Sequence, residues 1–143
     1  MKLIISSTIL EAIQNEAKEA DSFEVCGLLL GYGECISEAL SAQNVAACPE
    51  REFEIDPAKL IAAERNARLG GPSIIGYYHS HPTGKVEPSQ IDANHAASDG
   101  RIWLIVNGKE AAAWRTSPSG KIFGRFDPVS LDCRPISRQT TIS

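Results

Sequence analysis

The sequence predicts an α/β (α+β mixed) fold, a mixed sheet with about three helices packed on it, and three observations carry that prediction. Short runs rich in β-branched and aromatic residues recur between Gly, Pro and Asn punctuation, as in "EVCGLLLG", "PSIIGYYHSH" and "RIWLIVNG". Between them lie stretches with helical periodicity and helix-start chemistry. The 143 residues, 43% hydrophobic and 22% charged, are enough for one core that needs no disulfide or metal staple.

A strand is expected over 2–6. A helix follows over 8–20, with Ile9, Leu10, Ile13 and Ala17 on one face and Ser7 as N-cap. The apolar run over 24–31 suits a buried strand, and Gly31 and Gly33 turn the chain into another over 35–46. "REFEID" alternates enough to be a third strand, after which Pro57 opens a helix that the pair Gly70 and Gly71 closes. "PSIIGYYHSH" is a strand stopped by Pro82, and "PSQIDANHAASDG" a helix ended by glycine. Three strands, "RIWLIVNG", "EAAAWRTS" and "KIFGRFD", complete the chain through turns at Asn107-Gly108 and Ser119-Gly120. The expected domain organisation is a single domain over 1–130 with a loose tail over 131–143.

Charge and composition exclude several partners. With 18 acidic against 14 basic residues, a net charge of −4 and no long block of one sign, no nucleic-acid surface is expected. The N-terminal "MKLIISSTILEAIQ" has one basic residue ahead of its apolar run and no small-residue cleavage site, so it does not read as a leader. No apolar run reaches the roughly 18 residues a membrane span needs, and a cytoplasmic protein without a membrane partner is expected. Cys26, Cys35, Cys48 and Cys133 form no C-x-x-C pair, which argues for free thiols.

The chemistry concentrates in "HSHPTGKVEPSQID", residues 79–92. Ser89 and Asp92 resemble a capping box, which is a sufficient structural reason for both. The histidines are different: residues i and i+2 of a strand share a face, so His79 and His81 project side by side and both imidazoles can reach one ion. Asp92, at the start of the following helix, can add a carboxylate oxygen. Two imidazoles and one carboxylate leave a fourth tetrahedral position for water, the donor set of catalytic zinc. Such a centre needs a base. Glu24 opens an otherwise apolar strand, where a charge costs free energy unless it has a polar duty; an exposed strand end explains it equally well. Glu87 lies in a polar loop where a solvated charge is the default.

Together these residues resemble the JAMM (MPN-plus, Mov34/PAD-1) metalloprotease family, whose motif is a glutamate on an early strand, then H-x-H-P, six residues and S-x-x-D. The match runs through Glu24 in "FEVCGLLLG", His79, His81 and Pro82 in "HSHP", Ser89 and Asp92, and the "E-x-C-G-L-L-x-G" wording is similar to the small prokaryotic branch. The resemblance implies a deaminase-like three-layer arrangement with a central mixed sheet flanked by helices. It implies one Zn2+ with a bound water on His79, His81 and Asp92, Glu24 as general acid/base, and Ser89 as a donor to the oxyanion. It also implies a substrate: the peptide or isopeptide bond after the C-terminal Gly-Gly of a ubiquitin-like or ThiS/MoaD-type sulfur-carrier β-grasp protein. The competing readings are a non-catalytic MPN-type interaction scaffold, which typically lacks part of the motif, and a small-amide zinc hydrolase. Cys26 shares the Glu24 face and is a candidate redox element, against the simpler reading of a small buried residue. His95 and Asp99 read as polar helix surface or as groups that orient Asp92.

Overall fold

The structure, a computed structural model, describes residues 1–135. Its elements are β1 (Lys2–Ser6), α1 (Ser7–Ala20), β2 (Cys26–Tyr32), β3 (Cys35–Ala42), α2 (Pro57–Arg68), β4 (Ser73–Ser80), α3 (Gln90–His95), β5 (Ile102–Val106), β6 (Ala111–Gly120) and β7 (Gly124–Arg134). Local chemistry accounts for the helix starts. Ser6 Oγ accepts from the Ile9 N–H at 3.1 Å, which caps α1 one residue earlier than the expected Ser7. Asp56 caps α2 ahead of Pro57.

The seven strands close into a barrel in the order β1-β3-β2-β4-β5-β6-β7, and this overturns the expected three-layer arrangement with a central sheet flanked by helices. Closure comes from β7. It extends to Arg134 and pairs in parallel with β1 from Lys2↔Ser130 to Ser6↔Arg134, while β1 meets β3 at Ile4↔Cys35. A sheet whose outer strands find each other leaves no edge to cover. Residues 131–134, expected in the tail, are thus part of β7, and 136–143 lie outside the described residues.

The third strand expected over 51–56 is reduced to a single bridge, Asn44↔Ile55. The Asn44 side chain explains this, since its amide donates to the Glu52 carbonyl at 3.0 Å and its oxygen accepts from the Glu54 N–H at 3.1 Å. A side chain supplies the bonds that a ladder would have supplied.

β2 is buried on both faces, which is why it reads as a continuous apolar run. Leu29 packs in a cluster with Leu3, Ile5, Tyr78, Leu104 and the α1 residue Ile13. Its neighbours Cys26, Leu28 and Leu30 point the other way, toward Leu60 and Ala63 of α2. This core fixes β4, the strand that carries the histidines, between β2 and β5.

Gly76 marks the tightest approach. A Cβ there would stand 1.9 Å from the Ile102 carbonyl oxygen, so β4 and β5 can pair in this register only with glycine at that position. Gly76→Ala is expected to destabilise the protein by about 2–4 kcal/mol, within the range of overpacked and strained core sites, read as a lower denaturation midpoint.

Candidate metal centre

His79 is the penultimate residue of β4 and is fully buried, while His81 follows the strand end with its side chain 11% exposed. The His81 N–H donates to the Val106 carbonyl at 2.9 Å, which prolongs the β4–β5 register past Ser80 and keeps both imidazoles on one face. Their Nε2 atoms lie 3.1 Å apart.

Asp92 arrives from the first turn of α3, aimed by its cap. The Asp92 N–H donates to Ser89 Oγ at 3.0 Å, and the Ser89 N–H donates to Asp92 Oδ2 at 2.9 Å, so the capping box expected at this spacing is present. Asp92 Oδ2 is also 3.1 Å from His81 Nε2 and 3.3 Å from His79 Nε2. The capping bonds leave further lone pairs on both oxygens, so capping is compatible with the site reading of Ser89 and Asp92.

The remaining imidazole nitrogens are treated differently. His81 Nδ1 is 2.8 Å from the Lys85 carbonyl, which only accepts, so Nδ1 donates to it and Nε2 faces the cluster. His79 Nδ1 is buried without a hydrogen-bond partner among the described residues. That ring is held by packing, stacked on Phe53 at 4.3 Å and 19° and edge-on to Trp103 at 5.5 Å. Burial lowers the His79 pKa, with Asp92 opposing, and so favours the neutral ring. Burial also acts to lower His81, but the bonds to Asp92 and the Lys85 carbonyl outweigh it and its pKa is raised. For Asp92, burial acts upward; the two imidazoles and the Ser89 N–H prevail and hold the carboxyl well below the usual carboxylate range.

Glu24 lies just before β2 rather than in it, and it is 5% exposed. The reading of an exposed strand end is therefore wrong. Its N–H donates to the Pro49 carbonyl at 2.8 Å and its carbonyl accepts from Asn44 Nδ2 at 2.9 Å. Ser80, between the two histidines, clamps the next residue twice: its Oγ accepts from the Val25 N–H at 2.9 Å and its N–H donates to the Val25 carbonyl at 3.0 Å. These bonds set the Glu24 carboxylate beside the imidazoles, with ligand-type atoms of Glu24, His79 and His81 within 4.8 Å of one another. Glu24 Oε1 is buried and has no hydrogen-bond partner among the described residues. Burial pushes its pKa up to about 7, a rise that His81 opposes and that Asp92 and Glu52 support. Sequence reasoning missed Ser80 and Asn44; a serine inside H-x-H is the one signal that pointed to the first.

The donor set fits a cation. Three atoms of ligand type, the Nε2 atoms of two imidazoles and a carboxylate oxygen, converge at 3.1–3.3 Å. Ligands at zinc bonds of about 2.0–2.1 Å in a tetrahedron stand about 3.3 Å apart, close to this spacing. A shallow cleft of about 250 Å³ opens onto the group, lined by Glu24, Arg51, His81, Ser89 and Ile91. The Ser89 hydroxyl accepts from Asp92 and keeps its proton free to donate.

Other candidates fall away from this centre. Cys26 is fully buried among apolar side chains, and burial pushes its thiol up to about 12, so no reactive thiolate forms there. His95 is half exposed and 3.7 Å from Glu52. Asp99 accepts from the Arg101 N–H and from Thr116 Oγ1, a turn bond that does not reach Asp92. Glu87 is exposed.

A His-His-Asp cluster with an adjacent buried carboxylate, open to a cleft, is an arrangement compatible with a metal-dependent hydrolase. Comparison with known proteins makes this specific. Residues 6–117 match the family of prokaryotic homologs of the JAB domain. A desampylase from Pyrococcus furiosus is 35% identical over 84% of this chain and 85% of its own. A probable TtuB-protein conjugate cleaving protease from Thermus thermophilus is 31% identical over 62% of this chain and 66% of its own. In fold, the chain is similar to a protein from Desulfitobacterium hafniense solved in solution, with TM-score 0.78, 23% identity and 96% of each chain covered. The chain belongs to the prokaryotic JAB-domain family and is a JAMM-type hydrolase. None of its described helices is long and apolar enough to cross a membrane.

Proposed function

We propose that this protein is a zinc-dependent isopeptidase that hydrolyses the peptide or isopeptide bond after the C-terminal Gly-Gly of a ubiquitin-like or ThiS/MoaD-type sulfur-carrier protein. The observation that carries the reading is the convergence of His79, His81 and Asp92 at 3.1–3.3 Å beside the Glu24 carboxylate, whose buried Oε1 has no hydrogen-bond partner among the described residues. His79, His81 and Asp92 are the residues that would hold the ion. When bound there, zinc supplies Lewis acidity toward the scissile carbonyl and the attacking water. Glu24 takes the proton that the water loses as it attacks and hands it to the leaving amine; a carboxyl with a pKa near 7 can do both at neutral pH. Ser89 Oγ–H donates to the carbonyl oxygen as it gains negative charge.

The substrate class is supported by the relatives, one a desampylase and one a protease that cleaves TtuB-protein conjugates. The segment over 43–56 folds back on itself through the Val45 N–H to Glu54 carbonyl bond of 2.9 Å, and its turn residues Glu50 and Arg51 line one side of the cleft. A scaffold role is disfavoured by the complete donor set and base.

The test is cleavage of a β-grasp fusion through a Gly-Gly junction. Activity is expected to vanish on chelation and to return with zinc. Cleavage that persists in the chelated, metal-free protein would overturn the reading, as would failure to cut any Gly-Gly-linked β-grasp protein with zinc bound.

A further inference from the structure

We propose that Trp114 is a positioning residue for the metal centre, acting as a strut that holds the 82–88 loop so that the Lys85 carbonyl locks the ring of His81. Trp114 stands on β6, across β5 from the histidine strand, and pairs with Trp103. Its indole N–H donates to the Val86 carbonyl at 3.0 Å. Asn107, in the β5–β6 turn, donates through Nδ2 to the Gly84 carbonyl at 3.3 Å. The two struts bracket Lys85, whose carbonyl is 2.8 Å from His81 Nδ1. The β5–β6 hairpin thus grips the loop on both sides of the one carbonyl that fixes the tautomer of this ligand.

The strut matters because of where the loop lies. Thr83, Gly84 and Lys85 are exposed, so this stretch of loop has little packing of its own and the bond from His81 to the Lys85 carbonyl holds only while the backbone is held. His79 needs no such device, being clamped between Phe53 and Trp103. Among the described residues His81 has only the His79 ring beside it and no aromatic clamp of that kind, so its orientation depends on the carbonyl. If that bond is lost, the proton can move to Nε2, and the lone pair that faces the cluster is lost with it. Trp114 is otherwise readable as packing, since its ring joins the Trp103 and Phe126 cluster; the donated hydrogen bond is what packing does not require.

The inference rests on the reading of His81 as a metal ligand, and the experiment separates the two. Trp114→Phe keeps an aromatic ring and deletes the donor. Asn107→Ser keeps an oxygen for the turn bonds to Lys109 and Glu110 while withdrawing the amide. Each is titrated with zinc against a competing chelator at pH 8, and the metal-free proteins are compared by histidine 15N shifts and by thermal melting. Trp114→Phe is expected to bind zinc about tenfold more weakly, at the lower end of what outer partners of metal ligands typically contribute, with a smaller loss in Asn107→Ser. The metal-free Trp114→Phe protein is expected to show new His81 population protonated on Nε2 with its fold retained.

Wild-type zinc affinity and unchanged 15N shifts in Trp114→Phe overturn the inference. So does weaker binding that appears only together with loss of the metal-free fold in both variants, because packing then accounts for it. His81→Ala is titrated alongside: wild-type affinity there defeats the ligand reading itself, whereas loss of zinc in His81→Ala with none in Trp114→Phe defeats the strut alone.

Discussion

Glutamine in place of Glu24 is expected to lower turnover by about 10²–10⁴-fold while leaving the metal content unchanged. Glutamine matches the shape of the carboxylate and cannot carry a proton from water to amine. Metal should stay because His79, His81 and Asp92 approach one another at 3.1–3.3 Å without Glu24. A second consequence follows in the metal-free protein. The Glu24 pKa is raised from 4.5 to about 7, so between those values the folded state binds more protons than the unfolded state and wild-type stability falls as pH rises. Glu24→Gln lacks this penalty. Its melting temperature relative to wild type should therefore climb across that window and level off above it. Full activity in Glu24→Gln would sink the mechanism; a pH-independent difference in melting would show that the carboxylate is not desolvated.

Much of the site was legible because its logic is local. His79 and His81 needed only the strand period, and Ser89 and Asp92 only the spacing of a capping box. Glu24 is 55 residues before His79, and periodicity alone left it between two roles. The burial that rules out an exposed strand end comes from the Asn44 and Pro49 contacts to the Glu24 backbone and from the Ser80 clamp, which no window of sequence contains.

The fold was legible element by element and not in its closure. "PVSLDCR" alternates Val129, Leu131 and Cys133 in the manner of a half-buried strand, but Pro128 beside it reads as a stop. The structure tolerates the proline opposite Trp114 and carries the strand on to β1. That parallel pairing of the two ends of the chain turns an open sheet into a barrel. It is a long-range event with no local signature, just as the loss of the strand over 51–56 depends on one side chain, Asn44, competing for its ladder bonds.

His81→Ala is expected to lose metal and activity together, with affinity reduced by more than the 10–100-fold typical of outer partners because a ligand itself is removed. The fold should survive. His81 lies past the end of β4 with its side chain partly exposed, and the β4–β5 register continues through its backbone N–H, which alanine retains. The same residue sets the pH dependence of metal binding. His79 has a lowered pKa and stays neutral in mild acid, and Asp92 stays ionised, so neither competes strongly with the metal there. The His81 pKa is raised, and the ring must give up its proton before it can act as a ligand. Zinc affinity is thus expected to fall as pH drops through the His81 transition, by about tenfold per unit below it, as one proton is displaced for each ion bound. A zinc titration series from pH 8 to pH 5.5 checks this. A flat profile would remove His81 from the ligand set, and a slope of two protons that persists in Glu24→Gln would mean that His79 titrates as well, against the burial that holds it neutral.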